Sequence, residues 1–321
     1  MGDADAGGGG VPLLYIDRDL PAGVDEMVAG RCAFCGPAPV ELGGAIGIVA
    51  GATRWDAARL DAGPLVRVLS RTGIGYDNID VDAATDRGIV VCTAPDAPTV
   101  STAEHTMALI LAAAKRLVPN QLRLRAGGGD YVQANDGIEL DGRTLGLVGY
   151  GRIARRVHRA AAALDMTVIA YDPYLDRSEC PVELVGFDEL LARAEAISLH
   201  APSTPATRHL FDAAAFAAMR PGAVFVNAAR GGLVDHDALL AALESGRVGA
   251  AALDVTEPEP LPVDHLLLHR DDVIVTPHIA SATDAGRLRL YQHAIDNALA
   301  VLAGERPTFV VNPGVLAGDA A

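Results

Sequence analysis

The sequence predicts an α/β protein built on a doubly wound parallel sheet. Three observations carry that reading. Short apolar runs alternate with helical stretches along the chain, the pattern of buried parallel strands joined by helices. The stretch Gly146-Leu147-Val148-Gly149-Tyr150-Gly151-Arg152-Ile153-Ala154 has the form strand, glycine turn, helix. The next apolar run ends in an acidic residue, Asp172.

Taken in order, residues 13–16, 45–50, 65–69 and 89–91 read as short buried strands with helical stretches between them. Ser101-Thr102-Ala103-Glu104 is a capping-box pattern that opens an Ala- and Leu-rich helix running to about residue 117. Gly127-Gly128-Gly129 and Asp136-Gly137 interrupt any regular period and mark a linker. A second set of strands is expected at 144–148, 167–171, 196–199, 223–226, 250–253 and 273–275, with a helix at 235–243. An amphipathic helix spans 287–302, and Phe309-Val310-Val311-Asn312-Pro313 returns to another element. Residues 1–10, acidic and then all glycine from Gly7 to Gly10, read as a flexible tail.

Each part of the glycine motif has a physical reason. Gly149 permits the tight turn, and Gly151 lets a pyrophosphate approach the backbone. The small Ala154 lets helix pack on strand, and the free N–H groups of the first helical turn meet negative charge. Asp172 lies 23 residues after Gly149, near the roughly 20 expected of a carboxylate that binds ribose hydroxyls. That carboxylate would repel a 2′-phosphate, and no arginine follows until Arg177, so NAD is favoured over NADP. The alternative is a tight structural turn.

With 321 residues the chain is long enough for two domains, and half of its residues are apolar. A net charge of −15 argues against nucleic acid and anionic membranes as partners. No apolar run is long enough to span a bilayer, and the acidic start lacks the pattern of a secretory signal. Cys32 and Cys35 have C-x-x-C spacing, but Cys92 and Cys180 lie far off, so free thiols are expected rather than a metal site. Few cysteines and a nucleotide site together suggest the cytoplasm.

In a doubly wound sheet, ligands sit beyond the carboxyl ends of the strands. Arg230, Glu259 and His278 each follow one of the later strands. Hydride chemistry on a 2-oxo acid asks for a guanidinium to fork onto the carboxylate, an acid/base for the carbonyl oxygen, and a carboxylate to orient that base. The three residues have those types. Singly, each has a plainer alternative: a surface charge, a solvated turn residue and a strand cap.

The chain resembles the D-isomer-specific 2-hydroxyacid dehydrogenases, a family that includes phosphoglycerate, glyoxylate/hydroxypyruvate, formate and phosphite dehydrogenases. The resemblance runs from about Leu13 to Pro313. It is carried by Gly73-Ile74-Gly75-Tyr76-Asp77-Asn78-Ile79-Asp80, Ala103-Glu104-His105, Gly149 to Ala154 and Asn227-Ala228-Ala229-Arg230-Gly231. Ala252-Leu253-Asp254-Val255 with Glu259-Pro260, and Thr276-Pro277-His278-Ile279-Ala280-Ser281, complete it. It implies that Arg230 binds substrate, that His278 is the acid/base, and that Glu259 pairs with it. It implies that the backbone N–H groups of Ile74 and Gly75 take the substrate carboxylate. It places Asp254 on the nicotinamide carboxamide, and Thr102, Arg152, Ile153, Pro202, Ala228, Ala229 and Ser281 along the NAD. The fold it implies is a Rossmann-type NAD-binding domain (118–292) inserted into a flavodoxin-like substrate domain (11–117 plus 293–321), in a homodimer.

Three positions depart from the family pattern: Ala154 for the third glycine, Pro98 where Asn is common, and Thr256 where an aromatic is common. His105 reads as a helix residue packed at the domain junction, and His200 as a structural neighbour of the cofactor. A glyoxylate- or hydroxypyruvate-like acid is the expected substrate. For 3-phosphoglycerate, Arg71 is a candidate cation, but the strand end at Ala50-Gly51 offers no arginine, and the chain ends soon after Pro313 without room for a regulatory domain. A third expectation, from another class, is a non-catalytic NAD-sensing protein like the family's co-repressors.

Overall fold

In the first sheet every strand is parallel to its neighbours, and the strand order reverses once. The strands are β1 (Leu13–Ile16), β2 (Ala33–Cys35), β3 (Gly47–Ala50), β4 (Val68–Arg71) and β5 (Val90–Cys92), in the order β2-β1-β3-β4-β5. This is the flavodoxin-like order, with its switch point between β1 and β3. The computed structural model describes residues 10–37, 42–128 and 137–320. Residues 1–9 of the expected tail and most of the expected glycine linker lie outside them.

Both faces of this sheet are covered, which is why its strands read as unbroken apolar runs. On one face Leu14, Val49 and Val68 pack with Tyr291, Ala294, Ile295 and Ala298 of the helix Asp284–Leu302. On the other, Tyr15, Ile48, Leu69 and Val91 pack with Trp55 and Leu60. The expected return at 309–313 is present as an antiparallel bridge between Val310 and Cys92. Asn312 fastens it: its amide donates to Ile89 O and Thr85 Oγ1, and its carbonyl oxygen accepts Val91 N–H at 2.7 Å.

The second sheet has seven parallel strands: β6 (Thr144–Val148), β7 (Thr167–Tyr171), β8 (Glu183–Leu184), β9 (Ala196–Leu199), β10 (Ala223–Asn227), β11 (Val248–Leu253) and β12 (Val273–Val275). Their order is β12-β11-β10-β9-β6-β7-β8. That is the Rossmann order, and it reverses between β6 and β9, beside the glycine turn. One face is closed by Phe211, Phe216 and Phe225, whose ring centroids lie 5.0–5.7 Å apart. The other is closed by Met107, Ile110 and Ala114 of the helix Thr99–Ala114 with Ala154 and Val157. Among the described residues, no helix is long and apolar enough to cross a membrane.

The chain divides into Met1–Pro98 with Thr283–Ala321, and Thr99–Ala282. The expected boundaries at 117/118 and 292/293 therefore move to 98/99 and 282/283. The cause is packing: the helix Thr99–Ala114 buries its apolar face on the second sheet, and Asp284–Leu302 buries its own on the first. The capping-box expectation also fails. The helix begins at Thr99, directly after Pro98, so Ser101 and Thr102 lie inside it and are buried. Asp235 and Thr283 cap the helices His236–Glu244 and Asp284–Leu302, accepting N–H groups of the first turn.

His200 directly follows β9 at the switch point. Its N–H donates to Val148 O at 2.7 Å and its Nε2 lies 3.0 Å from Ser198 Oγ. Enclosure by protein pushes its imidazole down from 6.5 to about 4. The folded form thus holds this ring neutral where the unfolded chain would protonate it. Stability is complete above about pH 6.5 and falls as the pH drops towards 4, by at most about 1.4 kcal/mol per pH unit. Denaturant unfolding at pH 7 and pH 5 should show this loss in the parent and a smaller one in His200→Gln.

Candidate active site

The glycine turn stands at the carboxyl end of β6. Gly149 has φ +89°, and a β-carbon there would lie 2.9 Å from the carbonyl of His200, so the turn has no room for a side chain. Gly151 precedes the helix Arg152–Ala162, and a β-carbon on it would meet nothing within 4 Å. Its backbone faces open space in front of the first helical N–H groups, which lack intrahelical acceptors. Arg152 and Ile153 form the opening of that helix, and Ala154 is fully buried where it meets the sheet. Asp172 follows β7 and holds the rim of the turn. Its Oδ2 accepts Tyr150 N–H at 2.9 Å and its Oδ1 accepts Tyr174 N–H at 3.0 Å.

Three neighbouring strands carry the expected catalytic residues. Arg230 follows β10, Glu259 follows β11 and His278 follows β12, and these strands are adjacent in the sheet. Asn227, buried at the last position of β10, shapes the arginine's turn: its side chain accepts Ala229 N–H at 3.0 Å and donates to Arg230 O at 2.8 Å. Arg230 itself donates from Nη1 to Ala229 O. A β-carbon at Gly231 would collide with the Thr256 backbone, so this turn lies directly against the segment that leads to Glu259.

His278 and Glu259 form a pair, with Nδ1 and Oε1 2.6 Å apart and both side chains partly exposed. An ionised carboxylate only accepts, so the proton in this bond sits on Nδ1 and leaves Nε2 to hold a transferable one. The His278 backbone is left-handed, with φ +53°, which is uncommon for a non-glycine residue. It is held there by Asp254. His278 N–H donates to Asp254 O at 2.8 Å, and the Asp254 carboxylate accepts Ile279 N–H, Ala280 N–H and Thr276 Oγ1–H at 2.9, 2.9 and 2.6 Å. Burial alone would raise the Asp254 carboxyl. Hydrogen bonds from His105, Thr276, Ile279 and Ala280 outweigh it and hold the group below its ordinary range.

The remaining expected residues are dispersed. Thr102 is buried in the helix Thr99–Ala114, where its carbonyl accepts Thr106 Oγ1–H. Pro202 lies past β9 with its carbonyl accepting Thr207 Oγ1–H, Ala228 lies in the Arg230 turn, and Ser281 lies just past the His278 segment. Ile74 and Gly75 belong to the other unit, past the end of β4, where Ile74 is exposed. His105 differs from its expected role as a packing residue: its Nε2 is 3.3 Å from Asp254 Oδ1 and 3.4 Å from Thr276 Oγ1. His105 acts through hydrogen bonds across sequence distance, which no local pattern signals, whereas Asn227 acts within the turn that follows it. Cys32 and Cys35 are free thiols, and burial raises both.

The family model for the D-isomer specific 2-hydroxyacid dehydrogenase, NAD binding domain, matches residues 107–280. The D-3-phosphoglycerate dehydrogenase of Archaeoglobus fulgidus is 43% identical over 246 residues, 76% of this chain and 46% of that protein. The hydroxypyruvate reductase of Thermotoga maritima is 42% identical over 246 residues, 76% of this chain and 80% of that one. The crystal structure of TT0316 protein from Thermus thermophilus superposes with a TM-score of 0.85 at 36% identity, covering 93% of this chain and 99% of that one. The chain spans about half the length of the D-3-phosphoglycerate dehydrogenases it matches. With a family match over more than half of its residues and a relative 42% identical over most of that relative's length, the chain belongs to the D-isomer specific 2-hydroxyacid dehydrogenase family.

Proposed function

We propose that the protein is an NAD-dependent oxidoreductase acting on a small D-2-hydroxy/2-oxo acid. The observation that carries this reading is the His278–Glu259 pair, with Arg230, Glu259 and His278 each following one of three neighbouring strands. The glycine turn fits a dinucleotide: Gly151 has clear space before it, and the Asp172 carboxylate stands at the rim where ribose hydroxyls would meet it. NAD, when bound, supplies or accepts the hydride. Gly149, Gly151, Arg152, Ile153, Asp172, Pro202, Ala228, Ala229, Thr102, Asp254 and Ser281 are the residues proposed to hold it.

The chain's own residues do the rest. The Arg230 guanidinium binds the substrate carboxylate, joined by the N–H groups of Ile74 and Gly75. His278 Nε2 gives a proton to the carbonyl oxygen in reduction and takes it back in oxidation. Glu259 fixes the tautomer and stabilises the charged imidazole that stands before reduction and after oxidation. A homodimer is the proposed assembly.

Glyoxylate or hydroxypyruvate is the first candidate substrate. One observation favours a second reading, an acid with a distal anionic group such as 3-phosphohydroxypyruvate. The absence of an arginine from the end of β3 counts against it in the sequence. Arg18, which follows β1, lays its guanidinium over Gly51 in the space a β-carbon would take. It stands there at the switch point of the first sheet, where ligands of such sheets bind. Asp17, 3.8 Å away, offsets part of its charge.

Following NADH oxidation with glyoxylate, hydroxypyruvate and 3-phosphohydroxypyruvate, with NADPH as control, should give turnover with NADH and at least one acid. Arg18→Ala should reduce turnover of the phosphorylated acid alone. Binding of NADH with silence across a wide panel of 2-oxo acids would support the NAD-sensing alternative instead. His278→Ala should bind NADH as the parent does and lose about 10²–10⁴-fold in kcat, while Arg230→Ala should lose both kcat and substrate affinity. Asp172→Ala should weaken NADH binding and narrow the preference over NADPH, read by fluorescence titration. An unchanged preference removes Asp172 from that role.

A further inference from the structure

The residues expected to do chemistry do not include His105, yet its imidazole meets the group that holds the His278 segment. Asp254 is the fastening point of residues 276–280. Its side chain is 0% exposed, and it takes a hydroxyl and two N–H groups from that five-residue stretch. Every one of those bonds comes from the stretch itself. His105 comes from a different element, the helix Thr99–Ala114, and is 20% exposed.

The polarity of the cluster follows from its donors. Thr276 Oγ1 lies 2.6 Å from Asp254 Oδ1 and gives its only proton to that carboxylate. Its oxygen is then an acceptor towards His105. Asp254 Oδ1 is an acceptor as well, so the His105 Nε2 that faces both atoms at 3.4 and 3.3 Å carries a hydrogen and shares it between them. One N–H therefore braces the carboxylate and the hydroxyl together. The contact is long, so it is a weak bond to two strongly held acceptors. What it controls is orientation. If the carboxylate rotates, the N–H groups of Ile279 and Ala280 lose their partners, and His278 at φ +53° keeps its own N–H bond to Asp254 O but loses the anchor of the residues that follow it.

We infer that His105 is a positioning residue for the reaction: through Asp254 and Thr276 it sets the placement of His278, without touching substrate or cofactor. This rests on the reading of His278 as the acid/base. The positioning itself does not depend on that reading and has its own test.

Three chains are compared: the parent, His105→Leu and His105→Gln, whose amide can return a donor to the same place. Thr276→Val is a second disruption that does not touch the helix. Hydrogen exchange of the peptide containing Ile279 and Ala280 should be faster in His105→Leu and in Thr276→Val, and close to the parent rate in His105→Gln. In turnover with NADH and the best 2-oxo acid, His105→Leu should lose about ten- to a hundredfold in kcat, keep the parent's affinity for NADH, and shift the pH profile of kcat/KM. His105→Gln should recover most of the loss. Parent-like exchange at Ile279 and Ala280 in a folded His105→Leu overturns the inference. So does a loss of kcat that the glutamine does not recover. If the parent turns over no acid, the hydride-transfer reading fails, and hydrogen exchange still decides whether His105 holds the segment.

Discussion

A single buried carboxylate organises the carboxyl edge of the second sheet. Asp254 stands at the end of β11 and accepts hydrogen bonds from the chain that leaves β12. A charge buried this deeply survives only with its acceptor positions satisfied. Each partner is a backbone or side-chain donor of the stretch that carries His278, with His105 as the outside brace. The left-handed backbone of His278 lies inside this fastened stretch, and its ring pairs with Glu259. The other strand ends use the same device more locally. Asn227 closes the Arg230 turn with its own amide, and Asp172 holds the glycine turn by the Tyr150 N–H. In each case a side chain at the last position of a strand, or just past it, shapes the loop that follows.

Much of the fold was legible because parallel strands covered on both faces must be apolar throughout. The run 144–148 is visible in composition alone, as is 196–199, and both are strands with those limits. The strands Ala33–Cys35 and Glu183–Leu184 were missed. They are two or three residues long and lie at sheet edges, too short for a period. The start of the helix Thr99–Ala114 was misplaced because a capping-box sequence occurs inside it. The domain boundaries were misplaced for a related reason. Which sheet a helix buries against is a tertiary fact, and the linker composition near residue 128 pointed elsewhere.

The candidate site was legible to the extent that strand-end rules apply. Arg230, Glu259 and His278 stood out as candidates because each follows one of the later strands and has a residue type the chemistry asks for. Their resemblance to a family pattern added roles that position alone left open. The rest was hidden in geometry. His105 looks like any helical histidine until Asp254, far along the chain, is brought to it. Arg18 is a loop residue in sequence, and only the packing of β1 against β3 places its guanidinium over Gly51. The cation missing from one strand was supplied by its neighbour.

The division of the chain also sets an order of events during synthesis. The unit Thr99–Ala282 is one continuous piece and contains everything its two cores need. The other unit is not continuous. Strands β1, β3, β4 and β5 share one apolar cluster with Tyr291, Ala294, Ile295 and Ala298 and cannot complete it until those residues are made, and β5 lacks the partner of its Val91 N–H until Asn312 is. The segment before Thr99 is thus made ahead of the Thr99–Ala282 unit yet completed only after it, the reverse of the usual first-made, first-folded sequence. During that interval the apolar face of the first sheet has only Val24 and Val28 of its own segment over it, so the nascent chain is most exposed to misassembly until the helix Asp284–Leu302 is made.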